Sequence, residues 1–338
     1  MNTLESPARL EAREPPEERG RDRAEVALMV GGGHDGELVH ARFRDLARFL
    51  VPGDLLVVNT SATLPAALPA RLDGRTVELR LSTPAADGSW VVELRTSDRM
   101  PFGRPPVPAR LELPAGAHAE LLAPYARSDR LAVARLSLGQ PVEAYLASHG
   151  HPIRYGHVDR EWPLAAYQTV FARDPGSAEM PSAGRPFTTE LVAELVSSGV
   201  MVAPLTLHAG VSSLERGEAP YPERYRVPEE TARLVNAVRW WRGRVIAVGT
   251  TVARALETVA AVDGTVAAGE GWTNLIVTPE RGLRAVDGLL TGWHDADSSH
   301  MALLEAAAGP ELLELSYRAA AERGYLFHEF GDMHLLLP

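Results

Sequence analysis

Two histidines sit where apolar runs end, the place at which a strand delivers a side chain to a site. His208 follows Leu205-Thr206-Leu207 and precedes Ala209-Gly210; His294 closes the run Asp287-Gly288-Leu289-Leu290-Thr291-Gly292-Trp293. An imidazole exchanges protons near neutrality, so either ring suits a general base or a proton shuttle, the alternative for a lone histidine being a hydrogen-bonded structural role. Asp287, Asp295 and Glu179 lie in comparable segments and compete for the base role. A third stretch, residues 243–257, passes from the β-branched run Val245–Val248 through Gly249-Thr250-Thr251 into strong helix formers at 253–261. Glycine allows close backbone approach there, and Thr250 or Thr251 is expected to cap the helix through its hydroxyl. The outward N–H groups of such a helix start attract a carboxylate or phosphate. The same pattern is also ordinary α/β architecture. Two further polar stretches, 167–172 and 176–188, make a long loop dense in small residues, and loops of that length are mostly functional.

Other chemistries find no support in the spacing. His208, His294 and His300 with Asp295 and Asp297 include no HExxH or similar helical pair, so no metal site is expected. No G-x-S-x-G elbow is present for a serine hydrolase. Gly31-Gly32-Gly33 is not followed by a helix at phosphate-cradle spacing and reads as a hairpin turn. The chain has no cysteine, and all 34 of its basic residues are arginine. Thiolate chemistry, Schiff-base lysines and P-loop lysines are therefore excluded. With 44 acidic residues the net charge is −10, which argues against nucleic-acid binding by bulk electrostatics and requires any such contact to be local. No apolar run reaches membrane-spanning length and residues 1–23 lack an apolar signal core, so a cytoplasmic enzyme is expected.

The elements that must position these residues fall into two textures. At 338 residues the chain is long enough for two domains with proper cores. Residues 1–24, with Pro15-Pro16 and many charges, read as a poorly ordered or extended lead-in. A hairpin follows at 26–41, then helical spacing at 43–50, and a Pro52-Gly53-Asp54 turn into the strand 55–58. From 65 to 138, short alternating runs such as 76–81, 90–94 and 131–136 are divided by Pro- and Gly-bearing turns, the pattern of a small antiparallel barrel. After Pro141 helices are expected at 142–148, 189–197 and 228–241, with strands at 200–205 and 245–248. The expected fold is mixed α/β (α+β): a semi-open, barrel-like α/β core from 1–64 and 141–338, the second part carrying the active site, with a β-barrel-like domain inserted at 65–140. Trp240-Trp241 at a helix end is expected to have one ring buried and one at a domain contact, rather than to form an exposed platform for stacking bases.

In order along the chain, these motifs resemble the S-adenosylmethionine:tRNA ribosyltransferase-isomerase family of queuosine biosynthesis. The family's PGDLLVVNDTRVIPARL is similar to residues 52–68, its YQTVYA block to 167–172, its LHVGxGTF to 207–214, its GRVIAVGTTSVRTLES to 243–258 and its GDAMLI to 331–336. The resemblance covers nearly the whole chain from about residue 20. It implies an α/β core with an inserted β-barrel-like domain and an enzyme that moves the ribosyl part of S-adenosylmethionine onto 7-aminomethyl-7-deazaguanine in the tRNA anticodon. Adenine and methionine are released, S-adenosylmethionine serves as co-substrate, and no metal or prosthetic group is involved. By motif match the resemblance makes His208, His294 and Asp287 the catalytic candidates. It makes Thr250, Thr251 and Arg254 an anion clamp, and Tyr167, Gln168, Thr169, Ser182, Gly184, Gly210, Thr291 and Ser298 further substrate contacts. Expected partners are S-adenosylmethionine and tRNA, with no membrane, in a monomer or homodimer.

Several motifs depart from the family. Asn59-Thr60-Ser61-Ala62-Thr63-Leu64-Pro65-Ala66-Ala67 stands for Asn-Asp-Thr-Arg-Val-Ile-Pro-Ala-Arg, losing an acid and two arginines. Arg185-Pro186 replaces Leu-His, Gly292-Trp293-His294 replaces Asn-Phe-His, and residues 153–157 stand where the family has a Pro-Pro-Tyr turn. These changes define a second reading: a relative that binds S-adenosylmethionine or another adenosyl compound but uses a different acceptor or has a binding or regulatory role.

Overall fold

The computed structural model describes residues 10–32, 37–125, 128–211, 221–295 and 300–337. Strands β1 (Ala27–Gly32) and β2 (Glu37–Arg42) form the first hairpin. A 3₁₀ segment, Phe43–Phe49, takes the place of the expected α-helix before β3 (Leu55–Asn59) and the short β4 (Ser61–Thr63). Next come β5 (Ala67–Leu72), β6 (Arg75–Pro84), β7 (Trp90–Thr96), β8 (Ala109–Glu112), β9 (His118–Pro124) and β10 (Leu131–Ser137). These six pair antiparallel and close into a barrel in the order β10-β7-β6-β5-β8-β9. The chain continues through α1 (Val142–His149), β11 (Asp174–Ser177), α2 (Thr189–Ser197), β12 (Met201–His208), β13 (Glu223–Val227), α3 (Glu229–Trp240), β14 (Val245–Val248) and α4 (Thr250–Val259). It ends with β15 (Gly269–Thr273), β16 (Gly288–Gly292), α5 (His300–Ala308), α6 (Pro310–Arg323) and β17 (Met333–Leu336).

A nine-stranded mixed sheet, β15-β13-β12-β3-β14-β16-β17-β1-β2, forms the core. Its centre, β12-β3-β14-β16, is parallel. Both faces of that centre are covered, which is why its strands read as continuous apolar runs rather than alternating ones. The strand period of two then sends successive residues to opposite layers. Leu55, Val57, Val245 and Ala247 pack with Val235 and Val238 of α3 and Val252 and Leu256 of α4. Leu56, Val58, Ile246 and Val248 pack on the other side with Phe43, Leu46, Phe187 and Leu191. The barrel has its own core, including Leu68, Leu79, Leu94, Leu111 and Leu121. Among the described residues no helix is long and apolar enough to cross a membrane.

Two local expectations are corrected. From Leu10 onward the lead-in is a packed strap: Leu10 and Ala12 are buried, Leu10 O accepts from Phe327 N at 2.8 Å, and the Ala12 N–H donates to Phe327 O at 3.2 Å. Arg19 Nη2 reaches Phe330 O at 2.9 Å. Buried Leu10 and Ala12 and these backbone bonds hold the segment, so charge density there does not signal an unfolded segment. Trp240 and Trp241 are both exposed, at 82% and 57%. The buried stripe of α3 is Thr231, Ala232, Val235 and Val238, and positions 240 and 241 fall off that face.

Candidate active site

Parallel β12, β3, β14 and β16 bring their carboxyl ends to one edge of the sheet, where ligands of open α/β sheets gather. Asn59 ends β3 and pins that edge. Its buried Nδ2 donates to Leu207 O at 2.8 Å, while its Oδ1 accepts from Leu207 N at 3.1 Å and Ser61 N at 3.0 Å. The same amide reaches Thr251 Oγ1 at 3.4 Å, linking three strand ends.

His208 ends β12 in a chain of hydroxyls. Ala209 N donates to Ser177 Oγ at 3.0 Å, the Ser177 and Ser61 hydroxyls are 2.6 Å apart, and Ser61 Oγ lies 2.8 Å from His208 Nδ1. The backbone of Gly176 lies flat on the ring, so that a Cβ at this position would fall 2.4 Å from Nδ1. Burial first, and then the charge of Arg224, push this imidazole below its ordinary range, with Asp174 opposing. The ring is therefore neutral at pH 7, the form a base requires.

At the end of β16, Thr291 Oγ1 is 2.9 Å from His294 Nε2. The Tyr317 hydroxyl accepts from His294 N at 3.3 Å and donates to His294 O at 3.1 Å. The His294 ring stacks on His300 at 4.4 Å. Burial, followed by the neighbouring histidines, holds His294 well below its ordinary range, and burial takes His300 down to about 4. Two neutral imidazoles thus lie face to face.

Beneath them Trp293 stacks on His334 at 4.5 Å and 8°. His334 is fully buried and neither of its ring nitrogens has a hydrogen-bond partner among the described residues. Burial pushes it down to about 3 from an ordinary 6.5. A histidine with a depressed folded-state pKa binds more protons when unfolded, so stability is lost as pH falls through the window between those values, at roughly 1.4 kcal/mol per unit for this one proton. His334→Leu is expected to flatten the decline of the urea midpoint between pH 6.5 and 5 by about one proton's worth. An unchanged slope would show that His334 is already solvated in the native state.

The start of α4 differs from expectation in one respect. Gly249 is the N-cap, at φ 99°, and no side chain caps the helix. Gly249 N is instead tied to Leu290 O at 2.8 Å, and a Cβ on it would sit 3.3 Å from that of Ala183. Thr250 is buried, and Thr251 takes the contact from Asn59.

Comparison with known proteins adds an independent finding. The family model for the queuosine biosynthesis protein matches residues 3–336. The chain belongs to the queuosine biosynthesis protein family. An S-adenosylmethionine:tRNA ribosyltransferase-isomerase of Moorella thermoacetica is 36% identical over 96% of both chains. One from Thermus thermophilus is 36% identical over 96% of this chain and 97% of its own. The crystal structure of S-adenosylmethionine tRNA ribosyltransferase from Thermotoga maritima is similar with a TM-score of 0.56, at 29% identity over 99% of each chain.

In this member of the queuosine biosynthesis family the sheet edge gathers His208, Thr251, Thr291 and His294. Ser182 and Gly184 flank Ala183, which packs on Gly249. Tyr167, Gln168 and Thr169 lie alongside in supporting roles. Tyr167 is buried against Phe330, and the Gln168 amide exchanges two hydrogen bonds with the Thr63 backbone, at 2.8 and 3.0 Å. The Thr169 hydroxyl accepts from Phe171 N at 3.2 Å.

Arg254 is engaged rather than free to clamp an anion: it pairs with Glu223, and its Nε donates to Leu275 O at 3.1 Å. Glu223 also accepts from Gly210 N at 3.2 Å. Asp287 is misplaced for catalysis. It lies at the opposite end of β16, bound to Val245 N at 2.8 Å and Arg239 at 3.5 Å, and five residues of strand put it about 16 Å from Gly292. Ser298 lies outside the described residues. Pro186 stands where the family has histidine, and Arg185 beside it is buried, donates to Ala166 O at 2.9 Å and pairs with Glu17 at 2.8 Å. Among the described residues no group of three or more His, Cys, Asp or Glu side chains is arranged to hold a metal ion.

Sequence reasoning missed Asn59, Ser61, Ser177 and Asp174 as site residues. Asp174 accepts from Thr60 at 3.0 Å and from Thr206 at 3.2 Å, behind His208. The available signal was the polar run after the apolar strand 55–58, which ends on the same sheet edge as His208.

Proposed function

We propose that this protein transfers and isomerises the ribosyl moiety of S-adenosylmethionine onto 7-aminomethyl-7-deazaguanine in tRNA, releasing adenine and methionine. The observation that carries the reading is the pair of neutral imidazoles, His208 and His294, at the carboxyl edge of the parallel strands in a chain of this family. The sulfonium acidifies the neighbouring C5′ protons, and a neutral imidazole is matched to accept one near pH 7. In this reading His208 and His294 serve as base or proton shuttle, and Thr250 and Thr251 at the start of α4 face the methionine carboxylate. The inserted unit is the barrel, and residues 1–64 and 141–338 build the site. Despite the net charge of −10, Arg224 on β13 is exposed and directly opposite His208 in register, which supplies a local cation for a phosphate.

The test is free adenine measured by chromatography after mixing the protein with S-adenosylmethionine, with and without tRNA carrying the deazaguanine amine. Adenine appearing only with that tRNA is the expected result, and His208→Ala and His294→Ala are each expected to lower the rate about 10² to 10⁴-fold. No adenine, with calorimetry still showing S-adenosylmethionine binding, would sink the tRNA reading.

A further inference from the structure

A second group of imidazoles lies at the side of the site, built from parts of the chain 171 positions apart. His157, in the connection after α1, places Nε2 2.9 Å from Glu329 Oε2. Its ring lies on that of His328 at 4.2 Å and 21°. Tyr155 continues the stack at 6.0 Å from His157, nearly parallel at 5°, and Arg80 of the barrel lies 5.8 Å from the Tyr155 ring centre. A column of flat groups thus runs from the barrel interior to His328.

His328 is held in an unusual way. Its φ is +71°, a left-handed conformation that few non-glycine residues adopt, histidine, asparagine and aspartate more often than others, and it persists where the surroundings enforce it. The enforcing bonds are His328 N to Trp293 O at 3.3 Å, next to His294, and Gly331 N to His328 O at 3.0 Å. The lead-in strap, bound to Phe327 and Phe330, fixes the same turn from behind. His328 lines a small recess of about 10 Å³, partly open to solvent, together with Ser182, Arg185, Gly292 and Glu329. Neither ring nitrogen of His328 bonds a described residue. By contrast, Nδ1 of His208 and Nε2 of His294 are committed to hydroxyls, and neither of those rings lines the recess.

The ribosyl transfer moves two protons, one off C5′ and one onto the departing purine, so base and shuttle are separate roles. We propose that His328 accepts the C5′ proton, positioned by the His157–Glu329 pair stacked beneath it, which leaves the shuttle role to His208 and His294. The C–H bond breaks, its electron pair stays on the carbon beside the positive sulfur, and the proton passes to the lone pair of a ring nitrogen of His328. The proton that the purine nitrogen takes on leaving comes from solvent through His208 or His294, and the His328 imidazolium returns its own proton to solvent after product release. This inference rests on the reaction proposed above. The charged and titratable groups facing His328 are His157, His294, Asp295, Glu329 and Glu11, with Arg185 across the recess. Glu329 keeps His157 protonated more readily than usual, and burial together with His157 keeps His328 neutral.

The experiment is the pH dependence of adenine release by the whole protein with S-adenosylmethionine and the amine-bearing tRNA, for wild type, His328→Asn and Glu329→Gln. Asparagine tolerates the left-handed backbone, so the first variant keeps the turn. His328→Asn is expected to lower kcat about 100-fold with KM for S-adenosylmethionine within about threefold of wild type. Glu329→Gln removes the partner that holds His157 charged. The same change removes a carboxylate that favours a charged His328, but the His157 charge is the larger influence, so His328 takes up a proton more easily and the acidic limb of kcat/KM moves up. His328→Asn turning over within threefold of wild type across the pH range would overturn the proposal while leaving the family reaction standing. A Glu329→Gln loss equal at every pH would overturn the positioning role of the pair. Wild-type protein that releases no adenine would overturn the reaction and this assignment together.

Discussion

Gly176→Ala is expected to lower adenine release about 100-fold or more without unfolding the protein. A Cβ at position 176 would lie 2.4, 2.6 and 2.8 Å from Nδ1, Cε1 and Cγ of His208, closer than real Cβ contacts allow. The ring must move. Gly176 sits at an irregularity between Pro175 and Ser177, which pair with Ala62 and Thr63 of β4, and the Ser61–Ser177 hydroxyl pair ties the following residue, so the neighbours on both sides restrain the backbone. Displacing the ring breaks the contact between Nδ1 and Ser61, and a misplacement of about 1 Å at a reacting group costs on the order of 100-fold. The decisive measurement is a double-mutant cycle. In a His208→Ala background the clash partner is gone, so adding Gly176→Ala should reduce the rate no further. Equal losses in both backgrounds would show that Gly176 acts through something other than the histidine.

Glu257→Ala is expected to give the largest loss of stability, about 3 to 5 kcal/mol, visible as a fall in melting temperature of roughly ten degrees. Glu257, on α4, is buried. One oxygen accepts from the backbone N–H groups of Arg284, Ala285 and Val286 at 2.8, 2.9 and 3.3 Å, and the other takes Arg281 Nη1 at 2.7 Å. Truncation would leave three backbone donors without their acceptor and strip the Arg281 guanidinium of its counter-charge, leaving it the carbonyls of Gly282 and Glu257, in the loop that feeds β16. Glu257→Gln keeps an oxygen for the three donors and should cost about half as much. A loss below 1 kcal/mol for Glu257→Ala, read from denaturant midpoints, would mean the loop finds other partners.

The parts of this molecule legible in its sequence are those governed by local periodicity. Alternating runs between 65 and 138 gave the barrel strands, and the apolar stretches 55–58 and 245–248 are the buried parallel centre. His208 and His294 were visible because each follows such a strand on the edge where parallel strands end. Asp287 was misjudged because adjacency to the same strand does not say which end it occupies; that depends on strand direction. Arg254 was read as an anion clamp, and Glu223, the partner that occupies it, comes from a separate strand. The His157, His328 and Glu329 group had no local signature at all, since its members meet only when the connection after α1 is folded against the last turn of the chain. The strap formed by residues 10–19 was hidden for the same reason: its partners are Phe327, Phe330 and Arg185.

Strand β17 lies between β16 and β1, pairing Leu28 with Met333 on one side and Leu290 with Leu335 on the other. During synthesis, therefore, the barrel, whose partners are all near neighbours in sequence, is able to close early, whereas the first hairpin must wait for residues 333–336 before it joins the sheet. Until the ribosome releases those residues, the open edge of β1 and the apolar side of β16 are both unpaired. A nascent chain stalled before residue 333 would hold a finished barrel beside an adhesive, incomplete sheet. Translation that slows just before residues 333–336 should thus raise aggregation more than slowing of equal length within the barrel.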